Sequence, residues 1–227
     1  MKCFADLVRL ASLLCAFGAV SQAADPSQFS ESERRVFSDE HLRNVGGPAA
    51  LQYAYRRRGS LETHVDDRAV VTVGARGKDG GRTARVEFLS GERKLELPPL
   101  EHAEGNPLIL FFLEREVREM SRLTGGSGSY FRKRIRMALA DDAEVSSVEV
   151  SVAGQAVAAT EIRIAPYRLD PARARYEKFA ERTYVFVFSD DVPGQVVELR
   201  SELFGAAADG GPVEMVLGES LIFVDRR

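Results

Sequence analysis

The spacing of apolar residues changes twice along this chain, and that change limits the folds open to it. At the start of the first patterned region, Leu51, Tyr53 and Tyr55 alternate with less apolar neighbours, which is typical of a half-buried strand. Between residues 106 and 140 the apolar residues recur every three or four positions, as on a helix with one buried face. The period of two returns over residues 145–224. The chain therefore has strands, then helices, then strands.

This order of elements predicts an α+β domain. The strand-like segments, 51–97 and 145–224, do not alternate with helices as a doubly wound fold would require. Tight turns such as Gly154-Gln155 join neighbouring runs, which favours antiparallel pairing. We therefore predict one domain over residues 48–227. Its antiparallel, strongly curved sheet, an incomplete barrel or a sandwich, packs on a central helical hairpin, residues 106–140.

The two helices of this hairpin have recognisable ends. Asn106 can cap the first helix, and Pro107 suits its first turn. On the outer face, Glu114 and Arg118 have the spacing of an i,i+4 ion pair. The second helix is predicted over residues 129–140. The apolar faces are predicted to consist of Leu110, Leu113, Val117, Met120 and Leu123 in the first helix, and Phe131, Ile135 and Leu139 in the second.

The first 23 residues have the three-part pattern of a secretory signal. Lys2 and Arg9 supply positive charge, Leu10–Val20 is apolar, and small residues then lead to a cleavage site near Ala23. The apolar stretch is too short for a membrane-spanning helix, which needs about 20 residues. We therefore predict an exported, periplasmic protein that is cleaved at Ala23 or one residue later.

The positions of the cysteines narrow the chemistry open to the mature chain. Cys3 and Cys15 both lie in the predicted signal, so the expected mature chain has no cysteine. It then lacks structural disulfides, thiol catalysis and thiolate metal sites. The segment that follows, residues 24–47, is polar and weakly patterned. It is expected to be a loose lead-in with a short helix over residues 39–43.

Charge and histidine content exclude further classes of partner. The chain has 31 basic and 34 acidic residues and a net charge of −3, whereas a nucleic-acid-binding domain is usually basic. His41, His64 and His102 lack the paired spacing of a zinc site and are expected at the surface. The sequence therefore predicts no nucleic acid, no metal and no cofactor.

Aromatic residues on the predicted strands are the candidates for a ligand cavity. Tyr53, Tyr55, Phe186 and Phe188 would provide the apolar lining that a small-molecule site needs. A plain hydrophobic core needs the same residues, so the pattern alone leaves both interpretations open.

The second helix has a basic side. Arg132, Lys133, Arg134 and Arg136 alternate with apolar positions, which suits peripheral contact with anionic lipid or an acidic partner. The alternative is an ordinary solvated helix face, because runs of charge are commonly just that.

The loop 125–129, Gly-Gly-Ser-Gly-Ser, suggests a second alternative. Ser127 or Ser129 could act as the nucleophile of a serine hydrolase, but a nucleophile elbow needs a glycine at its fifth position and a preceding strand. The loop also suits a simple connection between two helices.

Together these features predict an exported, non-enzymatic accessory or binding protein. Its ligand would be an apolar or lipid molecule, or its partner an envelope protein; the oligomeric state is left open. In layout, a signal followed by an antiparallel sheet that holds helices, the chain is similar to periplasmic lipoprotein carriers and related envelope lipid-binding proteins. No motif underlies this similarity, so it assigns no residues. The alternatives are the serine hydrolase and an envelope assembly module that pairs through an edge strand.

Overall fold

The computed structural model describes residues 29–78, 80–205 and 213–227. The predicted signal therefore lies outside the described residues. The helices are α1 (Glu31–Phe37), α2 (Pro107–Thr124) and α3 (Gly128–Asp141). The strands are β1 (Ala49–Arg58), β2 (Val65–Arg76), β3 (Arg82–Phe88), β4 (Leu95–Glu96), β5 (Glu144–Val152), β6 (Gln155–Ile164), β7 (Thr183–Phe188), β8 (Val196–Phe204) and β9 (Met215–Arg226).

The described strands form one open, curved sheet in the order β4-β3-β2-β1-β9-β8-β7-β6-β5. Every neighbouring pair is antiparallel. Strands β1 to β4 form one meander and β5 to β8 another. The last strand, β9, returns between β1 and β8 and joins them. The predicted α+β fold with a curved antiparallel sheet is confirmed.

Irregular pairing explains part of the curvature. The register shifts at four places: Gln52/Tyr53 against β9, Val73/Arg76 against β3, Val187/Phe188 against β8 and Leu203/Phe204 against β9. A β-bulge bends its strand and increases the local twist. Such bends turn one face of the sheet around the helical hairpin.

The main core lies between this inner face and helices α2 and α3. Alternate residues of most strands enter it, as the period of two predicts. Strand β7 is buried on both faces: Tyr184, Phe186 and Phe188 join the main core, whereas Val185 and Val187 belong to a smaller cluster on the other side. It lies between β6 and β8, so it is an interior strand, as its doubly apolar sequence predicts.

Helix α2 is rotated relative to the predicted face. Asn106 caps it, accepting a hydrogen bond from Leu108 N at 3.1 Å, and Leu113, Val117 and Met120 are buried as expected. Leu110, however, is 54% exposed, so its predicted inward position is wrong. The buried face instead continues through Leu108, Ile109, Phe112 and Glu116. Because Glu116 is charged and yet belongs to this buried series, the spacing of apolar residues alone does not reveal the buried face of α2.

The part of the lead-in that the structure describes is ordered, which corrects the expectation of a loose segment. Ser30 caps α1 and forms a capping box with Glu33. The Ser30 hydroxyl also donates to Leu139 O at 3.0 Å, which ties the segment to α3. The short helix expected over residues 39–43 is observed as a 3₁₀ turn, His41–Asn44.

His41 is buried, which corrects its predicted surface position. Its Nε2 lies 2.8 Å from Arg35 O, and Asn106 N donates to its Nδ1 at 3.3 Å. The ring also stacks on Phe188 with centroids 5.4 Å apart. Burial lowers the pKa of His41, so the neutral imidazole is favoured. Its contacts are those of a residue that joins the lead-in to the core.

Candidate ligand-binding groove

Two adjoining concavities lie along the outer side of α2, and together we call them the α2 groove. The apolar half has a volume of about 380 Å³ and lies between α2, strand β3 and residues 95–100. The charged half has a volume of about 530 Å³ and lies between α2 and the ends of β1 and β9. Four residues line both halves: Leu95, Phe111, Arg115 and Arg118.

The apolar half is lined by leucines that the fold leaves open. Leu95, Leu100 and Leu110 are 46%, 48% and 54% exposed. Pro98-Pro99 follows the two-residue strand β4 and prevents its continuation as a regular strand. The chain is still held beside β3, because Leu100 N donates to Ala84 O at 2.8 Å and Leu97 N donates to Val86 O at 3.0 Å. A concave cluster of exposed apolar side chains is typical of a binding surface.

The floor of the charged half is held by Arg115. Its Nε and Nη2 donate to the two carboxylate oxygens of Glu219 at 2.9 and 2.8 Å, and Nη2 also donates to the Tyr55 hydroxyl at 3.1 Å. The guanidinium lies 4.5 Å from the centre of the Phe88 ring, a cation–π contact. Despite partial burial, the contacts with Glu219 raise the pKa of Arg115 above its usual range. Arg115 is therefore a fixed cation.

The outer rim of the charged half is an ion-pair cluster. Arg57 pairs with Glu62 and lies 3.7 Å from Glu119. Arg122 lies 2.7 Å from Glu119 and 3.1 Å from Glu62. Hydrogen bonding from Arg122 lowers the pKa of Glu119, so this carboxylate is ionised at neutral pH. The two arginines and two glutamates neutralise one another.

A buried ion pair lies behind the groove. Glu116 on α2 and Arg182 before β7 are 1% and 3% exposed, and Arg182 Nη2 is 2.6 Å from Glu116 Oε2. The Ser201 hydroxyl donates to Glu116 Oε1 at 2.8 Å. Burial raises the pKa of the Glu116 carboxyl to about 7, because the desolvation of the carboxylate outweighs the attraction of Arg182.

This raised pKa predicts that stability depends on pH. The folded protein holds the Glu116 proton up to about pH 7, whereas the unfolded chain releases it near its ordinary value of 4.5. The resulting stabilisation is complete below pH 4.5 and is lost as pH rises through 7. Urea titrations of the wild type and of Glu116→Gln at several pH values measure it. The unfolding free energy of the wild type minus that of Glu116→Gln should decrease as pH rises.

The comparison isolates Glu116 because both proteins share every other titrating group. The buried His41, whose pKa is lowered, destabilises both equally as pH falls. A difference in the free energy of unfolding that stays constant with pH would show that Glu116 does not retain its proton in the folded state.

The aromatic candidates from the sequence lie in the core. Tyr53, Tyr55, Phe186 and Phe188 are all fully or almost fully buried, and none of them lines the α2 groove. Tyr55 comes nearest to it, because its hydroxyl donates to Glu219 Oε2 at 3.0 Å and accepts from Arg115. A ligand-binding role for these four residues stays a prediction. Their observed contacts are packing in the core, and both tyrosine hydroxyls also form hydrogen bonds there.

The four basic residues of α3 differ in their ion pairing, and three of them, Arg132, Lys133 and Arg136, line one shallow concavity. Arg132 donates to both carboxylate oxygens of Glu114 at 2.6 and 2.7 Å, and Arg134 Nε lies 2.8 Å from Asp170 Oδ2. Lys133 and Arg136 are exposed and make no ion pair within the described ranges. A contact of these four residues with anionic lipid or an acidic partner stays a prediction, and the charges of Lys133 and Arg136 are the ones without a partner in the described ranges.

The loop 125–129 connects the two helices. Gly125 has a left-handed backbone with φ 72°, which ends α2, and the Ser127 hydroxyl accepts from Tyr130 N at 3.3 Å, which caps α3. The hydroxyls of Ser127 and Ser129 lie 3.2 Å apart. In the part of the chain that the structure describes, neither serine has a hydrogen bond to histidine or lysine, which a serine nucleophile would use as its base. The hydrolase alternative thus gains no support here.

Most residues of the α2 groove, and the buried pair behind it, could not be recognised from sequence patterns. Arg118 was predicted to pair with Glu114, but Glu114 pairs with Arg132 on the neighbouring helix. Glu116 interrupts the buried face of α2, which was the one available signal of a buried charge. Arg115, Arg182 and Glu219 come from separate elements, and no local pattern links them.

The described residues contain neither a membrane-spanning helix nor a cluster of metal ligands. Of their helices, none combines the length and the apolar character that a bilayer span requires. Their histidines, aspartates and glutamates include no cluster suited to a metal ion.

No family model matches this chain, and no curated protein matches it in sequence. Among solved structures it is similar to the lipoprotein LppX of Mycobacterium tuberculosis, with 14% identity, 88% of this chain and 94% of that chain covered, and a TM-score of 0.31. It is also similar to LprF of Mycobacterium bovis, with 9% identity, 87% of this chain and 94% of that chain covered, and a TM-score of 0.33. At these identities and TM-scores, neither likeness assigns the chain to a family.

Proposed function

We propose that this chain is an exported, non-enzymatic binding protein that holds a lipid-like amphiphile in the α2 groove. The observation behind the proposal is the pairing of three exposed leucines, Leu95, Leu100 and Leu110, with a charged concavity that shares their walls. An amphiphile matches this surface, because its apolar chain covers the leucines while its polar end stays among charged and solvated groups.

The single-domain and export parts of the proposal have separate support. Strands β1 to β9 all belong to one sheet, and one main core joins its two meanders, which favours a single domain over residues 48–227. The signal pattern of residues 1–23 favours export to the periplasm. An aqueous compartment between membranes is one in which an exported lipid-like molecule needs a protein to cover its apolar chain.

Pairing through a sheet edge is the second candidate function. Strand β5 is an edge of the sheet, is nine residues long, and consists of exposed and half-exposed residues. Its sequence contains neither proline nor lysine, two of the residues that commonly block strand addition. The strand therefore suits an envelope partner that adds its own strand to the sheet.

Replacing Leu110 tests the binding proposal. Phenylnaphthylamine, a neutral apolar fluorophore, should bind the wild type and brighten. Leu110→Asp should weaken its binding by about 10- to 100-fold, because covering one leucine contributes about 1.5–3 kcal/mol. Leu169→Asp is the matched control, since Leu169 is 78% exposed and lies outside the groove. Fluorescence titration measures the three affinities.

The proposal is wrong if both aspartate variants bind the fluorophore as the wild type does. Native mass spectrometry of protein purified from the periplasm, followed by lipid extraction, then identifies the natural occupant. The Leu110→Asp protein should retain less of that molecule than the Leu169→Asp protein.

A further inference from the structure

We propose that the amphiphile carries an anionic headgroup and that Arg118 binds it. This inference rests on the proposed function and adds the class of ligand. Three observations lead to it: the charge balance of the groove, the pairing of Glu114, and the position of Arg118 on α2.

The charged half of the groove has one more arginine than it has glutamates. The charged half is lined by four arginines and three glutamates. Arg57 and Arg122 are paired with Glu62 and Glu119, and Arg115 is paired with Glu219. Within the ranges that the structure describes, Arg118 makes no ion pair. The charged half therefore presents one uncompensated positive charge, which an anion would neutralise.

The acidic residue one helical turn before Arg118, which lines the apolar half, does not neutralise Arg118 either. Glu114 lies one turn before Arg118, but both of its carboxylate oxygens accept hydrogen bonds from Arg132 of α3. Hydrogen bonding from Arg132 lowers the pKa of Glu114, so this pair persists at neutral pH. Arg118 is thus left with an exposed guanidinium beside a neutralised carboxylate.

The position of Arg118 suits the junction of a headgroup and a chain. It lines both halves of the groove, and it lies eight residues, or about 12 Å along the axis, after Leu110. A headgroup at Arg118 therefore lets the attached chain run back along Phe111 and Leu110. The guanidinium of Arg115 at the same junction is already paired with Glu219, so Arg118 supplies the charge that remains for a headgroup. A guanidinium donates two parallel hydrogen bonds equally well to a carboxylate and to a phosphate.

Four probes that each carry a twelve-carbon chain or acyl group test the inference below their micelle-forming concentrations. Dodecanoate and dodecyl phosphate are anionic, lauroyl glycerol is neutral, and dodecyltrimethylammonium is cationic. Isothermal titration calorimetry should give tighter binding of both anions than of the neutral probe, and weakest binding of the cation. Arg118→Gln should weaken binding of the anions about tenfold and leave lauroyl glycerol unchanged.

Two further variants act as controls. Arg118→Lys keeps the charge and should retain part of the affinity for anions. Arg175→Gln removes an arginine outside the groove that also makes no ion pair among the described residues, and it should bind all probes as the wild type does. The difference in affinity between the anionic probes and the neutral probe should decrease at high salt, because salt screens an exposed charge.

The outcomes separate this inference from the proposed function. Equal affinity for the anionic and neutral probes, or an equal effect of Arg118→Gln on both, would overturn the headgroup assignment while the groove remains a binding site. If none of the four probes binds, the proposed function is wrong and the inference falls with it. A preference for only one anion would identify the headgroup as a carboxylate or a phosphate and supports the assignment.

Discussion

The Glu116→Met variant is expected to lose about 3–5 kcal/mol of unfolding free energy at pH 8, the cost of leaving one buried charge without its partner. Arg182 is 3% exposed, and its guanidinium cannot release its proton in the accessible pH range. Its Nε and Nη1 already lack hydrogen-bond partners among the described residues. Among the described residues, removal of Glu116 therefore leaves this buried charge with one side-chain hydrogen bond, to the Ser201 hydroxyl.

The reciprocal variant should behave differently. Arg182→Met leaves Glu116 buried, but this carboxyl can take up a proton because burial has raised its pKa to about 7. At pH 8 the Arg182→Met variant should therefore lose less unfolding free energy than Glu116→Met does. At pH 5 its loss should be smaller still. The double variant Glu116→Met/Arg182→Met removes both charges and should be close to the wild type, since packed apolar residues often replace a buried ion pair without loss.

Urea titration of the four proteins at pH 5 and pH 8 provides the double-mutant cycle. Two equal single-variant losses that add up in the double variant would show that Glu116 and Arg182 do not interact strongly. A far-UV circular dichroism spectrum of each variant confirms that the fold is retained before the free energies are compared.

Two leucines of α2 are expected to differ sharply on truncation. Leu113→Ala should destabilise the protein by about 2–5 kcal/mol, because Leu113 is buried in the main core and its removal leaves a cavity. Leu110→Ala should change stability by no more than about 0.5 kcal/mol, because Leu110 is exposed in the groove. The two changes remove the same atoms from the same helix, so helix propensity affects both equally.

Denaturant titration of both variants measures these losses. Comparable losses at the two positions would mean that Leu110 is packed against other residues in solution, and the apolar half of the groove would then be closed. Leu110→Ala should also weaken phenylnaphthylamine binding without unfolding the protein, which separates a binding role from a structural one.

The sequence alone determined the fold class. Strand and helix periods differ because successive side chains alternate across a strand but recur every 3.6 residues around a helix. That local geometry made the strands, the hairpin 106–140 and the capping of α2 by Asn106 predictable. The interior position of β7 was predictable for the same reason, since a strand that is apolar on both faces is buried on both.

Tertiary structure decided which residues make the groove. Leu110 fits an apolar helical face as well as Leu113 does, and only the packing of α2 against the sheet leaves it exposed. Arg115 and Glu219 are 104 residues apart, so no local pattern brings them together. Periodicity reports which side of an element is apolar. It does not report which charges meet across elements, because that depends on how the sheet curves around the helices.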